Sequence, residues 1–167
     1  DASEYRTQIA GEVKDFDFSG YMNPKDAKRL DLFCQYAIAA SDEAMVTAGL
    51  PKDLRGSEID PNRVGVIVSS GIGGLATMSD QDRVLLERGP GRISPFLIPM
   101  MIGDIASGNI SRRYGAGGPN MGLVTACSTG THSIGESFWA IKRDDADIMI
   151  CGGTEATIVP LGVAGFC

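Results

Sequence analysis

The chain has 167 residues, of which 43% are hydrophobic, 22% charged and 7% aromatic, the balance of a globular domain rather than of a disordered or coiled-coil chain. Fifteen Lys and Arg against 21 Asp and Glu leave a net charge of −6 with no basic stripe, which argues against nucleic acid as a partner. No apolar run approaches the ~18–20 residues of a membrane span, and the 22 glycines follow no collagen-like period, so their excess belongs to tight turns and close backbone contacts.

Residues 1–14 are polar, with neither a signal-peptide layout nor an initiator Met, so the chain reads as a piece of something longer. Asn23-Pro24 opens the first helix: Asn caps, Pro suits the first helical position, and Asp26 favours the positive end. Leu30, Phe33, Cys34, Ala37, Ile38, Met45 and Ala48 then recur at helical spacing until Gly49 and Pro51 stop the run. Val64 to Val68 is a continuous β-branched stretch, the pattern of a strand buried on both faces and covered by helices. A tight loop over 69–74 leads to a helix over 77–88.

The stretch 93–101 contains Pro95 and Pro99 and is expected to be irregular. A helix over 102–114 closes on Gly115, a second strand spans Leu123 to Ala126, and a helix spans Ser128 to Arg143. Asp144-Asp145 turn into a third strand over 147–151, and a last helix begins near Pro160. Strands alternating with helices predict a layered α/β fold.

Four cysteines (Cys34, Cys127, Cys151, Cys167) and a single His132 form no C-x-x-C and no zinc spacing. Free thiols in a reducing compartment are expected, with Cys34 and Cys151 as small buried hydrophobes.

Cys127 stands apart because a strand ends and a helix begins around it. Helix N-termini carry unpaired N–H groups and partial positive charge. These favour the thiolate and could stabilise the oxyanion formed when it attacks a thioester. The alternative is a Cys that merely begins a buried helix. Gly130, Ser133, Gly135, Ser137 and Ala140 make that helix small-sided, able to sit deep between layers with Cys127 at the floor of a cleft.

His132 is poorly placed as a base for Cys127: five residues along a helix separate two side chains by about 140° in direction and ~7.5 Å in height. Gly71-Ile72-Gly73-Gly74-Leu75-Ala76 fits a dinucleotide fingerprint in outline, but no second strand ending in an acidic residue follows. A packing or pocket-lining turn is the better reading, with a nucleotide-binding oxidoreductase as a lesser option. Glu155, following a strand end, is either structural or close to an active site.

Taken together, Thr125-Ala126-Cys127-Ser128-Thr129-Gly130, Asp145-Ala146-Asp147, Gly152-Gly153-Thr154-Glu155 and the run from Pro160 to Phe166 resemble the β-ketoacyl-[acyl-carrier-protein] synthases, most closely the type II enzymes of fatty-acid biosynthesis. Val13 to Phe16, Ser70 to Gly74 and Ile93 to Phe96 fit the same type, so the resemblance spans the chain in order. One departure is Cys167, where the family commonly has Gly.

The resemblance implies a thiolase-like layered αβαβα fold. This chain, 1–167, would be a partial N-terminal ketosynthase domain covering most of the first half, lacking the first strand and the C-terminal half. It implies an acyltransferase that condenses an acyl thioester held on Cys127 with malonyl-acyl-carrier protein, the Cys127 N–H serving as an oxyanion donor. The catalytic His and Lys residues of the family fall outside the chain, so the fragment alone is expected to be inactive. Ile72, Ala126, Gly162 and Phe166 match positions that line the acyl chain.

Acyl-carrier protein and a second copy are the implied partners, the dimer contact including Met121 to Thr125. The expected location is the cytoplasm, with no nucleic acid, membrane, metal or cofactor involved. The presence of the Cys favours a condensing enzyme over the related chain-length factors. A polyketide ketosynthase and a non-catalytic fragment or binding module remain alternatives.

Overall fold

The computed structural model describes residues 2–167. Helix α1 (Pro24–Ala27) starts as the sequence predicts, with Asn23 Oδ1 accepting from the Asp26 N–H at 2.9 Å and Pro24 in the first turn. It does not run on to Ala48. The chain turns at 28–30, and Asp31 caps a new helix, α2 (Leu32–Thr47), accepting from the Phe33 N–H at 3.3 Å. Asp31 is buried, and its other oxygen accepts from the Thr77 N–H at 3.1 Å and the Thr77 hydroxyl at 2.6 Å. The break is fixed by this distant partner, which helical spacing alone does not reveal.

Strand β1 (Val64–Ser69) is buried at all six positions. It pairs in parallel with β2 (Ile148–Gly153), Val64 opposite Ile148 and Ser69 opposite Gly153. Val64, Val66 and Val68 enter one apolar cluster with Phe33, Cys34, Ile38 and Met45 of α2 and Ala106, Ile110 and Tyr114 of α5 (Ile105–Tyr114). Alternation along the strand turns Ile67 and Ser69 to the other face, where α6 (Thr129–Lys142) lays down Thr129, Ser133, Ser137 and Ala140. The backbones meet closely there: a Cβ on Gly153 would fall 2.8 Å from Gly130 Cα. Helices α3 (Leu75–Arg88), α4 (Leu97–Met101) and α7 (Pro160–Phe166) complete the described elements.

Several expectations are corrected. The stretch 93–101 holds a short helix, α4, because Pro99 falls in its first turn, where no intrahelical N–H is needed. Leu123 to Ala126 is not a strand. The segment runs beside β1 through one bridge, Val66 with Asn120. Hydroxyls then take over the ladder: Ser107 Oγ lies 3.0 Å from Met121 O, and the Leu123 N–H donates to Ser69 Oγ at 2.9 Å. Cys151 is exposed, since β2 pairs with β1 alone among the described strands. Helix α6 is covered on its small-residue face only, leaving Ile134, Phe138 and Trp139 more than half exposed. No helix among the described residues is long and apolar enough to cross a membrane.

Candidate active site

The approach to α6 is a sharp turn. Thr125 lies at φ −135°, Ala126 at φ 52°, and Ala126–Ser128 form a single 3₁₀ turn that leads into α6. A left-handed conformation is costly for a residue with a Cβ, so the surroundings must hold it in place. The Thr125 N–H donates to Thr129 Oγ1 at 3.0 Å, and the Ser128 N–H donates to Thr125 O at 3.1 Å. The result lifts Cys127 to the tip of the turn, where its side chain is exposed. The Cys127 N–H makes no hydrogen bond among the described residues and stays available to an acceptor in front of the thiol.

A second loop faces this turn. Beyond β1, Ser70 Oγ donates to Glu155 Oε1 at 2.8 Å and accepts from the Gly73 N–H at 2.7 Å, while the Gly71 N–H donates to Glu155 Oε2 at 3.0 Å. Gly71 is closely fitted: a Cβ would lie 3.1 Å from the Ala126 carbonyl oxygen and 3.2 Å from the Glu155 carboxylate. Glu155 is rooted by its neighbour, since the Thr154 N–H donates to Ser69 O at 3.0 Å and Thr154 Oγ1 donates to Phe33 O at 2.6 Å.

Between the two lies a cleft of about 410 Å³ whose wall includes Ile72, Ala126, Cys127, Glu155 and Phe166. Its surface is mostly apolar, the character of a site for a hydrocarbon chain rather than a charged ligand. Four of the five residues singled out by sequence therefore share one cavity. Gly162 does not join them. It is buried in α7 against the Thr157 carbonyl, which an added Cβ would approach to 2.1 Å. Glu155 is the cleft residue whose place the sequence left undecided. The signal was its position two residues after a strand-ending Gly-Gly.

His132 is exposed, and its Nδ1 shares a 2.7 Å hydrogen bond with Thr125 Oγ1. It braces the turn from the side instead of meeting the thiol. The glycine fingerprint does not form a phosphate cradle. A Cβ on Gly73 would lie 2.3 Å from Met101 O, the Gly74 N–H donates to that same oxygen at 2.9 Å, and the start of α3 already holds the Asp31 carboxylate at Thr77. The space and the donors that a pyrophosphate needs are taken. Among the described residues no cluster of His, Cys, Asp or Glu is arranged to hold a metal ion.

Comparison with known proteins agrees with this geometry. Residues 1–167 match the family described as Beta-ketoacyl synthase, N-terminal domain. The chain is 46% identical over 166 residues to 3-oxoacyl-[acyl-carrier-protein] synthase 2 of Synechocystis and 47% identical to the protein of that name from Staphylococcus aureus. In both cases 99% of this chain is covered and 39% of the relative, so the chain spans about two fifths of the length of these curated relatives.

Among solved structures, the ishigamide ketosynthase/chain length factor matches with a TM-score of 0.82 at 26% identity, covering 99% of this chain and 40% of that one. A ketosynthase in complex with its type II PKS acyl-carrier protein matches with a TM-score of 0.80 at 28% identity, covering 92% and 43%. The layered α/β architecture is thus the thiolase-like fold of the ketosynthases.

Proposed function

Because the chain belongs to the β-ketoacyl synthase family, residues 1–167 matching the model of its N-terminal domain, we propose that it is the N-terminal part of a 3-oxoacyl-[acyl-carrier-protein] synthase that elongates fatty acids. The observation that carries this reading is the cleft that gathers Cys127 at its strained turn with the apolar Ile72 and Phe166. The Cys127 thiolate attacks the acyl thioester of acyl-carrier protein. A new carbon–sulfur bond forms, the oxyanion is met by the Cys127 N–H, and the carrier thiol leaves with a proton. The acyl chain lies along Ile72 and Phe166.

Malonyl-carrier protein then loses CO₂, and the resulting carbanion attacks the Cys127 thioester to release the β-ketoacyl product. His132 is committed to Thr125, so the groups that assist decarboxylation come from the remainder of a longer protein. The fatty-acid assignment rests on relatives at 46–47% identity, against 28% for the type II PKS ketosynthase.

A homodimer is the proposed assembly. The extended segment 119–125 has Met121 and Val124 exposed at 40% and 65% beside a single bridge to β1, an edge suited to a second copy. A cytoplasmic location follows from the proposed role. The test is a condensation assay with acyl- and malonyl-carrier proteins. The longer protein containing this chain releases CO₂ and β-ketoacyl product, Cys127→Ala abolishes the product, and residues 1–167 alone give none. Full activity in Cys127→Ala would refute the reading.

A further inference from the structure

Ile72, the apolar side chain nearest the start of the cleft loop, is not fixed by its own packing, for 48% of it is exposed. The far end of the loop is held by the Gly74 N–H to Met101 O bond, and the end that carries Ile72 is held by Glu155. One carboxylate oxygen accepts from Ser70 Oγ and the other from the Gly71 N–H, and Ser70 Oγ in turn accepts the Gly73 N–H, so the carboxylate clamps the backbone on both sides of Ile72. The same residue is tied through Thr154 to the end of β1 and to Phe33 O at the start of α2. The clamped Gly71 rests against the Ala126 carbonyl of the Cys127 turn.

From this geometry we infer that Glu155 is a positioning residue that sets which acyl chain lengths the cleft accepts, by fixing Ile72 relative to Cys127; the inference rests on the acyl-transfer reading above. A carboxylate serves here because it offers two acceptor oxygens to two donors at once. Glutamine keeps one acceptor and presents an N–H₂ where Ser70 needs an acceptor, so it retains half of the clamp. Alanine removes both. Without the clamp the loop gains freedom, Ile72 no longer presents one fixed wall, and discrimination between chain lengths flattens.

The experiment measures kcat/KM for acyl donors from short to long, on the longer protein and its Glu155→Ala, Glu155→Gln, Ser70→Ala and Ser70→Ala/Glu155→Ala variants. Hydrogen exchange of the 70–74 peptide is followed in parallel. The ratio of preferred to disfavoured lengths should fall by about fivefold or more in Glu155→Ala, within the range that one apolar wall contributes to selectivity. Glu155→Gln should be intermediate, and the double variant should be no worse than the worse single one, because both residues act on one loop. Exchange at Gly71 and Gly73 should rise in step.

A uniform loss across all lengths, or unchanged exchange, would overturn the positioning role while leaving the ketosynthase reading intact. A parent protein that transfers no acyl group of any length would overturn that reading and the inference with it.

Discussion

Gly162 and Gly135 both lie inside helices, yet their surroundings give them opposite roles. A Cβ on Gly162 would press to 2.1 Å on the Thr157 carbonyl, whereas one on Gly135 meets nothing within 4 Å. Gly162→Ala is therefore expected to lower stability by about 1–3 kcal/mol, the cost of overpacking against backbone. Gly135→Ala should raise it by about 0.5–1 kcal/mol through helix propensity alone. Urea denaturation of the two variants beside the parent checks this, and equal midpoints would contradict the packing described.

At this scale, Cys127 was singled out by its place before a helix, and Ala126, Ile72 and Phe166 by the family resemblance; the four lie on separate loops and helices that the fold brings to one cleft. The packing role of Gly162 was hidden, since its neighbour Thr157 offers only a backbone oxygen. The left-handed backbone of Ala126 was hidden as well, because alanine carries no sign of a positive φ.

Between elements, α2 and α5 are locked by a network that neither helix announces. Asp42 on α2 accepts from Arg113 Nε at 2.8 Å and from the Tyr114 hydroxyl on α5, and Arg113 also donates to Tyr21 O at 2.7 Å. Burial alone would raise the Asp42 pKa. The hydrogen bonds and charge of Arg113, with the Tyr114 bond, outweigh burial and hold it below the ordinary value. A carboxyl depressed in the folded state contributes fully above its unfolded pKa, and the contribution is lost as pH falls through the folded value.

Asp42→Ala should thus cost about 2 kcal/mol at neutral pH, a partly exposed pair being worth less than a fully buried one. The gap to the parent should narrow below about pH 4. Urea denaturation at neutral and acid pH measures this, and a gap that stays constant would contradict it.

Long helices were readable because one buried face imprints a period, and the β-branched strand because burial on both faces leaves a continuous apolar run. The split between α1 and α2 and the loss of the strand before Cys127 were not. Asp31 answers to Thr77, and the 121–123 backbone answers to the hydroxyls of Ser107 and Ser69, partners far away in sequence.

Across the whole molecule, the finished and unfinished surfaces are unequal. On the α2–α5 side of the sheet, Val64, Val66 and Val68 are buried in one core with residues of α2 and α5. The α6 side leaves Ile134, Phe138 and Trp139 in solvent, and Phe166 stands 74% exposed at the mouth of the cleft. Monomeric proteins rarely leave such apolar faces uncovered. The proposal of a longer ketosynthase, in which the remaining three fifths of the length packs against α6 and closes the cleft over Phe166, accounts for both. In that proposal the base comes from the remaining length, because among the described residues near Cys127 the Glu155 carboxylate is engaged with Ser70 and Gly71 and His132 with Thr125.

Cys127 is the proposed carrier of the acyl group. Its most direct test treats the longer protein with an acyl-carrier-protein thioester, without malonyl donor, and locates the acyl group by peptide mass spectrometry. Cys127 should be modified, with Cys34, Cys151 and Cys167 unmodified and no acyl-protein in Cys127→Ala. Acylation of Cys151 or Cys167 to the same extent, or none at Cys127, would contradict it.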